Sequence, residues 1–127
     1  MKLISAAEAM ARAEEGALLV DVREAHEHNA EAIGGSLNAP LSALPAKLES
    51  GGRPVIFYCQ SGARTIAAFG RLRALIDTEP MILQGGLLAW KSAGFPTAGG
   101  GPNAVAGANL LSQLLATYGK GKPETEP

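Results

Sequence analysis

The sequence holds a single cysteine, Cys59, so no intramolecular disulfide can brace it. Charge is also scarce: Asp, Glu, Lys and Arg supply 18% of residues, against a usual share of about 25%. With 11 basic and 12 acidic side chains the formal net charge is −1, which leaves no field to gather nucleic acid or an anionic membrane surface. Long apolar runs are missing as well. Met1-Lys2-Leu3-Ile4-Ser5 lacks the apolar stretch of a signal peptide, and no later run approaches the ~18 residues that a membrane span needs. There is no internal repeat. These absences lead us to expect a soluble, cytoplasmic protein that engages neither nucleic acid nor membrane. What is present fits one globular domain. A chain of 127 residues can bury roughly two-thirds of its unfolded surface without a metal or disulfide staple. The 46% of hydrophobic residues excludes intrinsic disorder. Sixteen glycines, nearly twice the usual share of about 7%, point to tight turns or backbone-lined sites.

Along the chain, apolar strands alternate with helical stretches, the pattern of an α/β fold with a central parallel sheet covered on both faces. Ser5-Ala6-Ala7-Glu8 reads as a capping box opening a helix to about Glu15, which Gly16 stops. Leu18-Leu19-Val20 is a continuous apolar run, as expected of a strand buried on both sides, and it ends in Asp21-Val22-Arg23-Glu24. A polar helix through His26 to Ala30 follows, closed by Gly34-Gly35. Ser36 to Pro40 reads as extended, because Pro40 keeps Ala39 out of the helical region. Leu41 to Ser50 has helix character, and Gly51-Gly52 ends it. Val55-Ile56-Phe57-Tyr58 is the strongest strand signal. It leads into Cys59-Gln60-Ser61-Gly62-Ala63-Arg64 and a helix from Thr65 to about Leu75, with Ile66, Phe69, Leu72 or Arg73, and Ile76 at amphipathic spacing. Met81-Ile82-Leu83 is a further strand, and Gln84-Gly85-Gly86 turns it into a helix that carries Trp90, expected as a core anchor. From Gly99 a Gly/Pro linker leads to a helix over 103–118 with one apolar face, then a polar end. That face is expected to dock on its own domain or on a second copy of the chain.

A strand that ends in cysteine and enters a helix through a short loop is a chemical arrangement. The loop lies at the carboxyl edge of a parallel sheet, where α/β proteins place their ligands. The first amides of the next helix have no carbonyl partners and favour a thiolate over a thiol. Gly62 lets the loop curl, and Arg64 offers a planar cation for an anionic substrate. Gln, Ser, Gly and Arg beside Cys59 are wrong for a buried structural cysteine.

At these residues the sequence resembles the rhodanese family of sulfurtransferases. Cys59-Gln60-Ser61-Gly62-Ala63-Arg64-Thr65 resembles the active-site loop of its small members. Leu19-Val20-Asp21-Val22-Arg23-Glu24 resembles the first family signature. Gly85-Gly86-Leu87-Leu88-Ala89-Trp90, with Ala93-Gly94-Phe95-Pro96, resembles the last, and Asn38 and Pro40 fit the end of the middle one. The resemblance implies a rhodanese-like domain over residues 1–98, with 99–127 outside it. It implies that Cys59 takes an outer sulfur from thiosulfate or a similar donor as a persulfide, cradled by backbone amides from Gln60 to Thr65. Gln60, Ser61, Gly62, Ala63, Arg64 and Thr65 are then the substrate-binding loop. No metal or cofactor is implied. With no second cysteine, the acceptor must come from outside: cyanide, a thiol or a sulfur-carrier protein.

Arg23 has two readings. It either adds positive potential to the loop or pairs with a carboxylate while Asp21 ties down backbone, and the second is favoured. His26 and His28 are expected to face solvent, since no ligand cluster accompanies them. The middle signature departs from the family pattern: its histidine is replaced by Ala32 and its proline by Gly34, and His28 stands where an aromatic residue is common. The alternative to catalysis is a regulatory module that carries or binds persulfide. A phosphatase or arsenate reductase on the same scaffold is disfavoured, because four residues separate Cys59 from Arg64 where such loops use five.

Overall fold

The computed structural model describes residues 1–99; the linker beyond Gly99 and the expected 103–118 helix lie outside them. Five strands, β1 (Lys2–Ile4), β2 (Leu18–Asp21), β3 (Leu37–Asn38), β4 (Val55–Tyr58) and β5 (Met81–Leu83), form one sheet in the order β1-β5-β4-β2-β3. Every pairing is parallel. The helices are α1 (Ala6–Glu14), α2 (Ala25–Ala30), α3 (Ala63–Ala67), α4 (Phe69–Arg73) and α5 (Gly86–Ser92).

The period of two along the strands divides the core into two layers. Leu19, Ile56, Tyr58 and Leu83 face α1 and α5, packing with Ala9, Ala13, Leu87 and Trp90. Leu18, Val20, Val55, Phe57 and Ile82 face the other way, against Ala68, Leu72, Leu75 and Ile76. Both β2 and β4 are buried along their whole length, which is why they read as continuous apolar runs. The helices after the adjacent strands β4 and β5 therefore cover opposite faces. That divergence takes place at the sheet's carboxyl edge, where α/β proteins place their ligands, and Cys59 follows the end of β4 there.

Trp90 is a core anchor as expected: it is 2% exposed, donates Nε1–H to Pro96 O at 2.8 Å, and meets Phe95 edge-on with ring centroids 5.0 Å apart. Three local readings are corrected. The helix expected over Leu41–Ser50 is only a 3₁₀ turn, Leu41–Ala43. Pro45 has no N–H to continue it and holds Leu44 extended (φ −68°, ψ 139°). The helix expected from Thr65 starts at Ala63 and is broken at Ala68 (φ −99°, ψ 12°); Gly70 just beyond has little helical preference. The break turns the buried face, so Thr65, Ala68, Leu72, Leu75 and Ile76 are buried while Ile66 is 46% exposed. The capping box at α1 is half formed. Ser5 Oγ accepts Glu8 N–H at 3.1 Å, but the Glu8 carboxylate is drawn along the helix to Arg12 Nη2 at 2.7 Å.

Candidate active site

Cys59 leaves the end of β4 fully buried. Its Sγ accepts the Gly62 N–H at 3.1 Å and lies 3.7 Å from Thr65 Oγ1. The Thr65 hydroxyl donates to Gly62 O at 2.9 Å. The loop thus closes on itself: the chain reverses at Gly62, in the left-handed region (φ 101°), and its amide returns to the sulfur three residues back. A side chain at Gly62 would be strained there and would press on Gly85 N at 3.2 Å. Gln60 is partly buried, whereas Ser61 and Ala63 are exposed.

The far wall of the loop is the start of α5. Its free amides are not left open: Leu87 N–H donates to Cys59 O at 2.9 Å and Leu88 N–H to Gln60 O at 3.0 Å. Only glycine allows that approach. A Cβ on Gly86, whose φ is +60°, would lie 2.4 Å from Cys59 O and 2.6 Å from Gln60 O. The Gly85-Gly86 pair is therefore a mould for the cysteine loop.

Asp21 and Arg23 brace the other side. The Asp21 carboxylate, fully buried, accepts Arg23 N–H at 2.9 Å, Arg23 Nε–H at 3.0 Å and Arg23 Nη2–H at 2.8 Å. Arg23 also donates through Nη2 to Glu31 O and through Nη1 to Gln60 Oε1 at 3.0 Å. The pairing reading of Arg23 matches this geometry, and the same side chain reaches the loop. Asn38 Nδ2 ties the turn down by donating to Asp21 O and Arg23 O, each at 3.0 Å. Tyr58 holds the following loop: its hydroxyl accepts Ile33 N–H at 3.0 Å and pairs with Ser36 Oγ at 2.8 Å.

Two functional neighbours were not foreseen. His28 does not face solvent; its side chain is 15% exposed and its Nδ1 lies 2.9 Å from Asp21 Oδ2. An imidazole carried by α2 thus rests on the buried carboxylate. His26 is exposed as expected. Glu27, also on α2, grips Arg64: Nη1 donates to Oε2 and Nη2 to Oε1, both at 2.9 Å. Glu27 additionally accepts Glu24 N–H at 3.3 Å, closing the start of α2. The signal for Glu27 was only a polar helix beside an acidic turn, and its partner lies 37 residues away.

These contacts fix the charges. Burial pushes the Asp21 carboxyl up, but hydrogen bonds from His28 and Arg23 outweigh it and hold it below the ordinary value. The Arg64 hydrogen bonds bring Glu27 from 4.5 down to about 2. Arg64 is raised in turn, chiefly by the Glu27 hydrogen bonds and the Glu27 charge. The Thr97 hydroxyl and Lys91 lower Glu31. Among the described residues no group of three or more His, Cys, Asp or Glu could hold a metal ion, and no helix is long and apolar enough to cross a membrane.

Comparison with known proteins agrees with this architecture. The rhodanese-like domain model matches residues 5–93. The chain is 42% identical over 88 residues to the uncharacterised protein slr1261 of Synechocystis, the match covering 68% of this chain and 49% of that protein. It is 33% identical over 84 residues to a sulfurtransferase of Allochromatium vinosum, covering 65% and 78%. The chain thus spans about half the length of the Synechocystis relative. The crystal structure of the Alr3790 protein from Anabaena superposes with a TM-score of 0.70 at 28% identity, covering 87% of this chain and 93% of that one. With the parallel sheet, the cysteine loop at its carboxyl edge and a family match over most of its length, this chain belongs to the rhodanese-like domain family.

Proposed function

We propose that this chain is a sulfurtransferase that carries sulfane sulfur on Cys59. The carrying observation is the loop itself: a sulfur just past the end of β4, met by the Gly62 N–H, with the carbonyls of Cys59 and Gln60 pinned by α5. The Cys59 thiolate attacks the outer sulfur of thiosulfate or a similar donor. The S–S bond of the donor breaks, sulfite leaves with its electron pair, and a Cys59 persulfide remains. In the second half-reaction a thiophilic acceptor (cyanide, a thiol or a sulfur-carrier protein) takes the outer sulfur and releases the thiolate. The acceptor is external because the 127 residues contain no second cysteine to resolve the persulfide. Gly62 and Thr65 position the sulfur, and Gln60, held by Arg23, stands beside it with Ser61 and Ala63 at the exposed lip. No cofactor is required.

Thiocyanate formation from thiosulfate and cyanide tests this. Many turnovers per chain are expected, with none from Cys59→Ser folded to the same stability; equal activity in the Cys59→Ser variant would overturn the proposal. Full burial of Cys59 favours a second reading, a regulatory module that binds or carries persulfide. Stoichiometric loading of Cys59 without repeated turnover would select it.

A further inference from the structure

A guanidinium beside a sulfur-accepting loop serves an anionic donor when its paired N–H groups are free to grip an oxyanion. Here both arginines are already engaged. Arg64 directs Nη1 and Nη2 at the two oxygens of Glu27, the same fork that a sulfonate would need. Arg23 directs Nε and Nη2 at Asp21 and Nη1 at Gln60. Lys91 pairs with Glu31 at 2.9 Å. Each of these three cations is thus matched by a carboxylate. Glu27 keeps its charge across the working pH range, since Arg64 holds its carboxyl at about 2. Apolar surface stands nearby: Ile66 and Leu88, 46% and 48% exposed, belong to α3 and α5, whose first turns build the loop.

Resting on the sulfurtransferase reading, we propose that the donor is an organic persulfide, R–S–SH, in preference to thiosulfate, and that Glu27 sets this preference by occupying Arg64. Thiosulfate brings two negative charges to a loop where Arg23, Arg64 and Lys91 are each already paired with a carboxylate. A persulfide brings at most one at the reacting end and an organic body to lie on Ile66 and Leu88. The step balances: the Cys59 thiolate bonds to the outer sulfur, the donor S–S bond breaks, R–S⁻ leaves, and the proton stays on the transferred sulfur as Cys59–S–SH. No oxidant or reductant is consumed.

The test is single-turnover loading of Cys59 in the full chain, followed by intact mass, from thiosulfate, from 2-mercaptoethanol persulfide and from a peptide bearing a persulfidated cysteine. The wild type should load faster from either persulfide than from thiosulfate, the faster of the two identifying a small or a peptide-borne source. Glu27→Gln keeps the shape, can still accept one Arg64 hydrogen bond, and removes the carboxylate charge that neutralises Arg64. A unit charge about 6 Å away in water-like surroundings is worth about tenfold on a dianion and about threefold on a monoanion, so the thiosulfate-to-persulfide rate ratio should rise about threefold for an ionised persulfide and about tenfold for a neutral one. An unchanged ratio, or wild-type loading from thiosulfate at least as fast as from persulfide, would overturn the proposal. If Glu27→Gln does not fold, ionic strength decides on the wild type. Thiosulfate loading that barely responds to salt supports the proposal, and a steep fall with salt overturns it. No loading from any donor would instead remove the sulfurtransferase reading beneath it.

Discussion

Replacing Gly86 by alanine is the smallest change that should undo the cysteine loop. The added methyl group would sit 2.4 Å from Cys59 O, 2.6 Å from Gln60 O and 2.7 Å from Gln60 C. All three are backbone atoms, so none can swing aside. The backbone at Gly86 is left-handed (φ +60°), where an L side chain costs about 1 kcal/mol. Relieving the clash requires the start of α5 to part from the loop, straining the Leu87 N–H···O Cys59 and Leu88 N–H···O Gln60 bonds, each worth about 1 kcal/mol. With an overpacking cost of ~1–3 kcal/mol, the whole comes to roughly 4 kcal/mol, a large part of the 5–15 kcal/mol that holds a domain together. The melting temperature should fall by roughly 20 °C. Sulfur loading in the folded fraction should drop by about a hundredfold, as expected of a reacting atom displaced by about an ångström. Gly52→Ala is the control: its φ is +80°, yet nothing lies within 4 Å of the added atom, so it should lose only about 1 kcal/mol. Urea unfolding of the two variants side by side measures the difference. If they fall within ~1 kcal/mol of each other, the contact between α5 and the loop does not have the tightness argued for it.

Other perturbations follow from the same contacts. Because Glu27 titrates at about 2 when folded and near 4.5 when free, its pair with Arg64 stabilises the fold above pH ~4.5 and is lost as pH falls toward 2. Urea midpoints across that window should decline, and less steeply in Glu27→Gln; identical slopes would contradict the pairing. His28→Ala removes a hydrogen bond from the buried Asp21 carboxylate and should cost about 1–2 kcal/mol, partly restored in His28→Asn, whose amide can donate from a similar position. A loss below ~0.5 kcal/mol would show that His28 does not support Asp21. Tyr58→Phe strips the partner from Ile33 N–H and removes one of the two hydrogen bonds of Ser36 Oγ, which keeps its bond to Ile33 O, and a loss of about 1–2 kcal/mol in chemical denaturation is expected.

The sheet was legible because β2 and β4 are buried on both faces, so sequence and environment carry the same message without a period to decode. The cysteine loop was legible for a related reason: a strand, a cysteine, a glycine and a helix start lie within a few residues of each other. What escaped depends on distant partners. Glu27 and Arg64 are 37 residues apart, and neither advertises the other. His28 read as a solvent-facing residue because Asp21, which it meets, belongs to a different element. Ile66 fitted an amphipathic spacing that presumes an unbroken helix; the break at Ala68 turned it outward. Between Leu41 and Ser50 the composition suggested a helix, but a single proline at position 45 denied it the hydrogen bond and the dihedral angles. The glycine pair at 85–86 stood out as a motif, while its purpose, admitting two carbonyls of the cysteine loop, emerged only from the packing of β4 against β5.

The most direct measurement is the intact mass of the chain after brief exposure to a sulfane donor and removal of the excess. The account predicts a gain of one sulfur atom per chain, localised to Cys59 by peptide mapping, absent in Cys59→Ser, and reversed by cyanide. A wild-type chain that is folded yet gains no sulfur, or gains it elsewhere, would contradict it.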